Sequence, residues 1–168
     1  MTPDRLLTTA ILPALADLDA RGIPDSFDAR RLLLAIALQE SALVYRRQVV
    51  DGEQKGPAAS WWQFERQGGC RGVLAHRATR DHMRTLCQLY GVAPTEQGLW
   101  EGMRYQDIVG AAAARLLVYT LPQRLPATAA EGWAQYMEAW RPGKPHPQKW
   151  QDCWKTATAA ASELEVPA

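Results

Sequence analysis

The sequence predicts a mostly α-helical single domain, and three observations support that prediction. The 168 residues are enough for one core, since a chain of about 150 residues buries roughly 70% of its unfolded surface. Hydrophobic residues make up 47% of the chain, and most of them recur at helical spacing. Short strands are plausible in one loop-rich stretch alone. We therefore expect one domain over residues 1–168, with about seven helices and a loop-rich or small β insertion after the second helix.

Capping signals and periodicity define the first two helices. Thr2-Pro3 is an N-cap followed by a proline in the first helical turn, a pattern typical of helix starts. Apolar residues then follow at helical spacing as far as Gly22. A second helix starts near Ser26 or Asp28 and ends at about Leu43. Because this helix is apolar on nearly every side, we expect it at the centre of the domain.

The insertion and the later helices follow from turn residues and capping patterns. Glycines interrupt residues 46–72, so short strands and loops are expected there. Thr128-Ala129-Ala130-Glu131 is a capping box, which predicts a helix start. Five further helices are predicted, from Val73 to Tyr90, from Thr95 to Met103, from Gln106 to Leu121, from Thr128 to about Trp140, and around Trp150 and Trp154.

Charge and cysteine content narrow the classes of function. The chain has 19 basic and 18 acidic residues, a formal net charge of +1, which argues against long-range steering onto nucleic acid. Three scattered cysteines are too few for a disulfide framework, so we expect reduced thiols. The spacing of the histidines and cysteines predicts no metal site. The sequence contains no recognisable phosphate-binding loop or Ser-His-Asp arrangement.

The N-terminus and the length of the apolar runs indicate where the protein is expected to be found. The N-terminus lacks the pattern of a secretory signal peptide. The longest strictly apolar run, Leu32 to Leu38, is far shorter than the ~20 residues that span a bilayer. We therefore expect synthesis in the cytoplasm and no membrane insertion. Any action outside the cytoplasm would then need another delivery route.

Glu40, near the end of the second helix, is the candidate acid. Its helical neighbours, among them Leu33, Ile36 and Leu43, are apolar. Loss of water in such surroundings raises the pKa of a carboxyl toward the range of a general acid. Gln39 has the same neighbours, so periodicity alone leaves open that the helix emerges here and that Glu40 faces solvent.

A segment about 20 residues downstream favours the catalytic interpretation. Gly56 to Gln63 reads Gly-Pro-Ala-Ala-Ser-Trp-Trp-Gln. Small residues let a backbone approach a flat ligand, two indoles can form a stacking wall, and an amide can hydrogen-bond beside the acid. We expect at least one of Trp61 and Trp62 to line a groove next to Glu40, with the amide of Gln63 facing the same groove.

Together these residues resemble the lysozyme-like lytic transglycosylase family, including its soluble lytic and goose-type lysozyme branches. Glu40-Ser41 stands where the family has a helix ending in Glu-Ser. Trp61-Trp62-Gln63 stands where the family has Leu-Met-Gln or Leu-Trp-Gln, and Ser60 replaces a common Gly. A tyrosine-bearing helix is matched by Ala111 to Tyr119, and Trp140-Arg141-Pro142-Gly143 is an imperfect counterpart of a late Tyr-Asn-x-Gly turn.

The resemblance implies a fold, a reaction and a set of site residues. It implies a lysozyme-like domain of phage or prophage type that cleaves the β-1,4 bond between N-acetylmuramic acid and N-acetylglucosamine in peptidoglycan. Glu40 would be the general acid and base, and no cofactor is implied. Expected substrate contacts are Ser41, Trp61, Trp62, Gln63, Glu65 and Tyr119.

The product depends on whether a second carboxylate is present. With one carboxylate, attack by the muramic 6-hydroxyl gives 1,6-anhydro ends. In a hydrolase a second acid positions water, and Glu65 and Glu53 are the candidates by sequence. No local feature fixes either side chain, so we expect a single-carboxylate site.

Two other classes of function stay open. The first is a catalytically inactive lysozyme-like protein with a structural role in a phage or prophage, whose partners would be other virion proteins. The second is a helical nucleic-acid-binding module that uses the arginines between Arg66 and Arg84, although runs of charge usually face solvent. For the active enzyme, the expected partner is a peptidoglycan strand at the periplasm or cell wall and not nucleic acid.

Overall fold

Two helices that are buried on nearly all sides, α3 and α7, form the centre of the computed structural model, which describes residues 1–164. Six helices and one three-stranded antiparallel sheet surround them in these residues, if the continuous N-terminal helix is counted once. The α-helical segments are α1 (Pro3–Leu6), α2 (Leu12–Asp19), α3 (Phe27–Ser41), α4 (Arg71–Ala75), α5 (Arg80–Leu89), α6 (Glu96–Gly102), α7 (Asp107–Tyr119), α8 (Ala129–Trp140) and α9 (Pro147–Glu163). The mostly helical class is confirmed.

The N-terminal helix starts as predicted and contains an irregular turn. The Thr2 hydroxyl accepts a hydrogen bond from the Arg5 amide, and Pro3 occupies the first turn. A π-helical turn over Leu7–Ile11 joins α1 to α2. Pro13 lies at the start of α2, and because proline has no N–H to bond to the preceding turn, the backbone widens just before it.

The predicted small β insertion is present after α3. Strands β1 (Arg47–Val50), β2 (Glu53–Ala59) and β3 (Phe64–Glu65) pair antiparallel in the order β1-β2-β3. The β1–β2 hairpin turns at Asp51-Gly52, where both residues have positive φ, as a tight two-residue hairpin turn requires. Ala59 pairs with Phe64 across β2 and β3, and this pairing fixes the tight turn over residues 60–63.

The prediction of one helix from Val73 to Tyr90 is wrong, because the helix is interrupted at residues 76–79, which separate α4 from α5. His76 has an extended backbone, and the buried Thr79 hydroxyl donates to the Val73 carbonyl at 2.8 Å. A side chain that satisfies the last turn in this way competes with continuation of the helix. This break accounts for eight helices where about seven are predicted.

Helices α8 and α9 bring a cluster of aromatic rings against α3. The predicted capping box is confirmed, since Thr128 and Glu131 bond reciprocally at the start of α8. The rings of Tyr136 and Trp150 stack at 5.5 Å and 13°, and Trp154 continues the row on α9. Rigid packing here fixes the position of α8 relative to the end of α3.

Candidate active site

Glu40 lies in the last turn of α3, where the helix ends abruptly. The Ser41 hydroxyl donates to the Ala37 carbonyl at 2.8 Å and accepts from the Leu43 amide at 3.2 Å. Ala42 and Leu43 both have left-handed backbone conformations. Ser41 therefore ends the helix and turns the chain away from the carboxyl, and it does not line the groove beside Glu40.

The Glu40 carboxyl is largely buried and has one protein partner. The Tyr136 hydroxyl on α8 donates to its Oε1 atom at 2.6 Å, and no other described residue hydrogen-bonds to the carboxyl. Burial raises the pKa of Glu40 to about 7 from an ordinary value of 4.5, although the bond from Tyr136 opposes the rise. A carboxyl with such a pKa is partly protonated near neutral pH and has Oε2 available for a ligand.

Tyr136 is held as a hydrogen-bond donor by its own surroundings. Its ring packs on Trp133 at 5.3 Å and on Trp150 at 5.5 Å. Burial and the nearby carboxyl of Glu40 raise the pKa of the phenol far above its usual value. The phenol therefore keeps its proton, and it can donate to Glu40 in either protonation state of the carboxyl.

An open groove of about 1220 Å³ runs past Glu40 and Tyr136. It is bordered by the sheet, the glycine-rich segment after β3, the end of α7 and the loop from α8 to α9. The glycine-rich wall needs small residues, because a Cβ atom on Gly69 would lie 2.6 Å from the Phe64 ring. The groove also receives Gln39, Gln63, Glu65, Glu138, Trp140 and His146.

The two predicted stacking indoles are not in the groove. Trp62 is 0% exposed, and its Nε1 atom donates to the Leu33 carbonyl at 2.8 Å inside the core. Trp61 is 5% exposed and lies beneath the guanidinium of Arg46. The prediction that an indole forms a sugar-stacking wall is therefore wrong. Trp62 packs the turn that follows β2 onto α3.

Gln63 does lie in the groove. Its amide nitrogen donates to the Ser60 carbonyl at 2.9 Å and to the Tyr45 carbonyl at 3.4 Å. No described residue bonds to its amide oxygen, which leaves that oxygen as an acceptor for a ligand. Ser60 and Gln63 both have positive φ, so this turn holds strained backbone beside the groove, a feature that clusters at functional sites.

Of the other residues predicted for the site, one lies in the groove and two lie outside it. Glu65 on β3 lines the groove, whereas Glu53 is exposed at the start of β2 beside Lys55. Tyr119 is 39% exposed, lies under the Arg115 guanidinium and is outside the groove. The tyrosine that contacts the Glu40 carboxyl is Tyr136 on α8.

From the sequence alone, Tyr136 has no predicted role beside the acid, and two further residues named for other reasons, Trp140 and Gln39, also support the site. Trp140 lines the groove and donates from Nε1 to the Trp62 carbonyl at 2.8 Å. Gln39 donates to the His146 carbonyl at 3.1 Å, which ties the loop before α9 to α3. The i, i+4 spacing of Tyr136 and Trp140 on α8 was the available signal, and a core stripe has the same spacing.

Comparison of the chain with protein-family models, with curated proteins and with solved structures gives no match. Residues 1–164 contain no group of three His, Cys, Asp or Glu side chains able to hold a metal ion. In the same residues, no helix is long and apolar enough to cross a membrane.

Proposed function

We propose that the chain is a lysozyme-like domain that cleaves the β-1,4 bond between N-acetylmuramic acid and N-acetylglucosamine in peptidoglycan, with Glu40 as general acid and base. The observation that carries the proposal is the Glu40 carboxyl, whose pKa of about 7 and contact with Tyr136 place a proton donor in the wall of the groove. General acids work best when their pKa is close to the working pH.

The geometry of the groove fits a polymer better than a small molecule. Its volume of about 1220 Å³ exceeds the 300–1,000 Å³ that is typical of small-molecule sites. The free oxygen of Gln63 and the indole edge of Trp140 lie in the same groove, and they supply polar and apolar contacts to a sugar ring. A glycan strand passing through would lay a glycosidic oxygen beside Glu40.

In the proposed reaction, the protonated Glu40 gives its proton to the glycosidic oxygen as the bond to the muramic C1 breaks. An oxocarbenium-like transition state forms. The resulting carboxylate, still bonded to Tyr136, then takes a proton from the nucleophile. That nucleophile is the muramic 6-hydroxyl in a transglycosylase or water in a hydrolase.

The acid is tested by replacing Glu40 with glutamine, which keeps the shape and removes the titrating proton. Purified variant and wild type are compared by dye release from labelled peptidoglycan. General acid–base catalysis contributes typically ~10²–10⁴-fold, and we expect a loss near the top of that range. Activity within a few-fold of wild type would exclude Glu40 as the catalyst. A wild type that releases no dye would favour the inactive structural protein.

Besides Glu40, the groove has two acids among residues 1–164 that are candidates for a second carboxylate. Glu65 and Glu138 both line the groove, and Glu53 does not. We expect 1,6-anhydromuramic ends in the mass spectrum of the released fragments, with Glu65→Gln and Glu138→Gln retaining most activity. Reducing ends alone, together with a Glu65→Gln loss as large as that of Glu40→Gln, would instead establish a hydrolase with a second carboxylate.

A further inference from the structure

A second, smaller cleft shares part of its lining with the groove. Its volume is about 320 Å³, and it is lined by Arg47, Pro57, Glu65, Arg66, Gln97 and Trp100; we call it the Trp100 cleft. Glu65 and Gln67 line both cavities. A branched ligand could therefore lie in the groove and extend a side arm into the cleft.

The Trp100 indole supports cations and does not serve as an open sugar platform. Its Nε1 atom donates to the Pro57 carbonyl at 2.8 Å, which anchors the ring to β2. The guanidiniums of Arg47 and Arg104 lie over the ring at 5.5 Å and 5.2 Å from its centroid. Cation–π contacts of this kind hold a guanidinium without neutralising its charge.

The arginines of the cleft have neutral partners. Arg47 donates to the carbonyls of Gly56 and Lys55, and Arg66 donates to the side-chain oxygen of Gln97 at 2.8 Å. Among the described residues, neither arginine forms an ion pair with a carboxylate. Each guanidinium has five N–H donors, so donors on both stay available for a ligand carboxylate.

Glu65 adds an opposite charge to the same cleft. Its carboxylate is exposed, and within residues 1–164 it forms no ion pair. A polyanion such as nucleic acid would be repelled by this carboxylate. A ligand that carries both a carboxylate and an amino group instead matches the two arginines and the glutamate together.

We propose that the Trp100 cleft binds the peptide stem of peptidoglycan, a short peptide attached to muramic acid that carries free carboxylates and an amino group. The proposal rests on the proposed function, because the stem branches from a glycan strand that would lie in the groove. Arg47 and Arg66 hold a stem carboxylate, and Glu65 holds the amino group. The cleft would thereby select strands that still carry their peptides.

The direct test measures binding of the free tetrapeptide stem, released from cell walls by an amidase and containing diaminopimelate. The indole N–H signals of the protein are followed by ¹H–¹⁵N NMR, and the Trp100→Phe variant assigns the signal of Trp100. We expect that signal to move on addition of the stem. We also expect Arg66→Gln to weaken binding roughly tenfold or more, since a hydrogen bond to a charged group is lost.

Matched variants separate specific recognition from net charge. Arg84→Gln removes the same charge from α5 at a position outside both cavities, and it should bind the stem like wild type. Acetylating both amino groups of the released stem, its N-terminal one and that of diaminopimelate, should weaken binding to wild type, whereas Glu65→Gln should bind the free and acetylated stems alike. Equal affinities of Arg66→Gln and Arg84→Gln would overturn the proposal.

Two further results decide between this proposal and its rivals. A single-stranded oligonucleotide that moves the Trp100 signal more strongly than the stem would overturn it in favour of a polyanion site. Stem binding needs no cleavage, so the Glu40→Gln protein should bind the stem normally. Binding without wall cleavage would defeat the proposed function alone, and cleavage without binding would defeat the stem site alone.

Discussion

Replacing Glu40 with glutamine tests the environment of the carboxyl through stability, without any assumption about substrate. The folded protein holds the pKa of Glu40 at about 7, above its ordinary value of 4.5. The folded state therefore binds the proton more tightly than the unfolded chain does. The wild type loses stability from this group as the pH rises from about 4.5 to 7, and the loss is complete above that window.

The magnitude follows from the same pKa. One pKa unit corresponds to about 1.4 kcal/mol, so ionised Glu40 lowers the free energy of unfolding by about 3 kcal/mol at high pH. Glutamine cannot ionise, and its oxygen can still accept the Tyr136 hydrogen bond. We expect Glu40→Gln to be more stable than wild type by about 1 kcal/mol near pH 5 and by about 3 kcal/mol near pH 8.5.

Urea unfolding at the two pH values measures this difference. The exposed Glu163 at the end of α9 gives a matched control, since Glu163→Gln makes the same chemical change on the surface. A stabilisation by Glu40→Gln that is the same near pH 5 and near pH 8.5, or that is absent at both, would refute the argument that burial holds the carboxyl protonated.

Four further substitutions test Tyr136 and the turn that contains Ser60 and Trp62. Tyr136→Phe should move the alkaline limb of wall lysis upward by about one pH unit, because the bond that favours the carboxylate is lost; a pH–rate profile with an unmoved limb would contradict this. Ser60→Ala should lower the free energy of unfolding by about 1 kcal/mol through loss of the hydrogen bond to the Trp62 amide. Ser60→Gly should cost less than Ser60→Ala, since a left-handed backbone costs a non-glycine residue roughly 1–2 kcal/mol, and urea titrations giving the reverse order would exclude strain at this turn. Trp62→Ala should lower the free energy of unfolding by about 3–5 kcal/mol, because it leaves a cavity in the core. A normal unfolding midpoint together with weakened glycan binding would instead show that the indole contacts the ligand.

Most helices and strands were predicted from local patterns, because helix caps and hydrophobic periodicity are properties of residues close together in sequence. The capping box at Thr128 and the start of α3 at Ser26 both depend on hydrogen bonds within a few residues. The break at residues 76–79 was missed, because the Thr79 hydroxyl bonds to a carbonyl six residues earlier, outside the repeat of a helix. Periodicity gives no sign of such a bond.

The site was predicted in part for the same reason. Helical periodicity alone does not choose between Gln39 and Glu40, since both have apolar neighbours along the helix, and Glu40 was selected by the Trp61-Trp62-Gln63 segment and the resemblance. The choice depends on α8, where Tyr136 meets the carboxyl from 96 residues away, and on the loop before α9, where His146 meets Gln39. Burial of Trp62 likewise depends on packing against α3, and burial of Trp61 depends on its contact with Arg46. A run of small and aromatic residues encodes neither contact.

The stability lost by burying the Glu40 carboxyl is relevant to the choice between an enzyme and an inactive structural protein. A glutamine at position 40 would fill the same space, accept the same bond from Tyr136 and remove a penalty of about 3 kcal/mol at high pH. That penalty is large beside the 5–15 kcal/mol that separates a typical folded domain from its unfolded chain. A structural role gives no physical reason to bury an acid at the wall of a groove. The proposed role as general acid gives such a reason, because the proton must be held near neutral pH and delivered to the substrate.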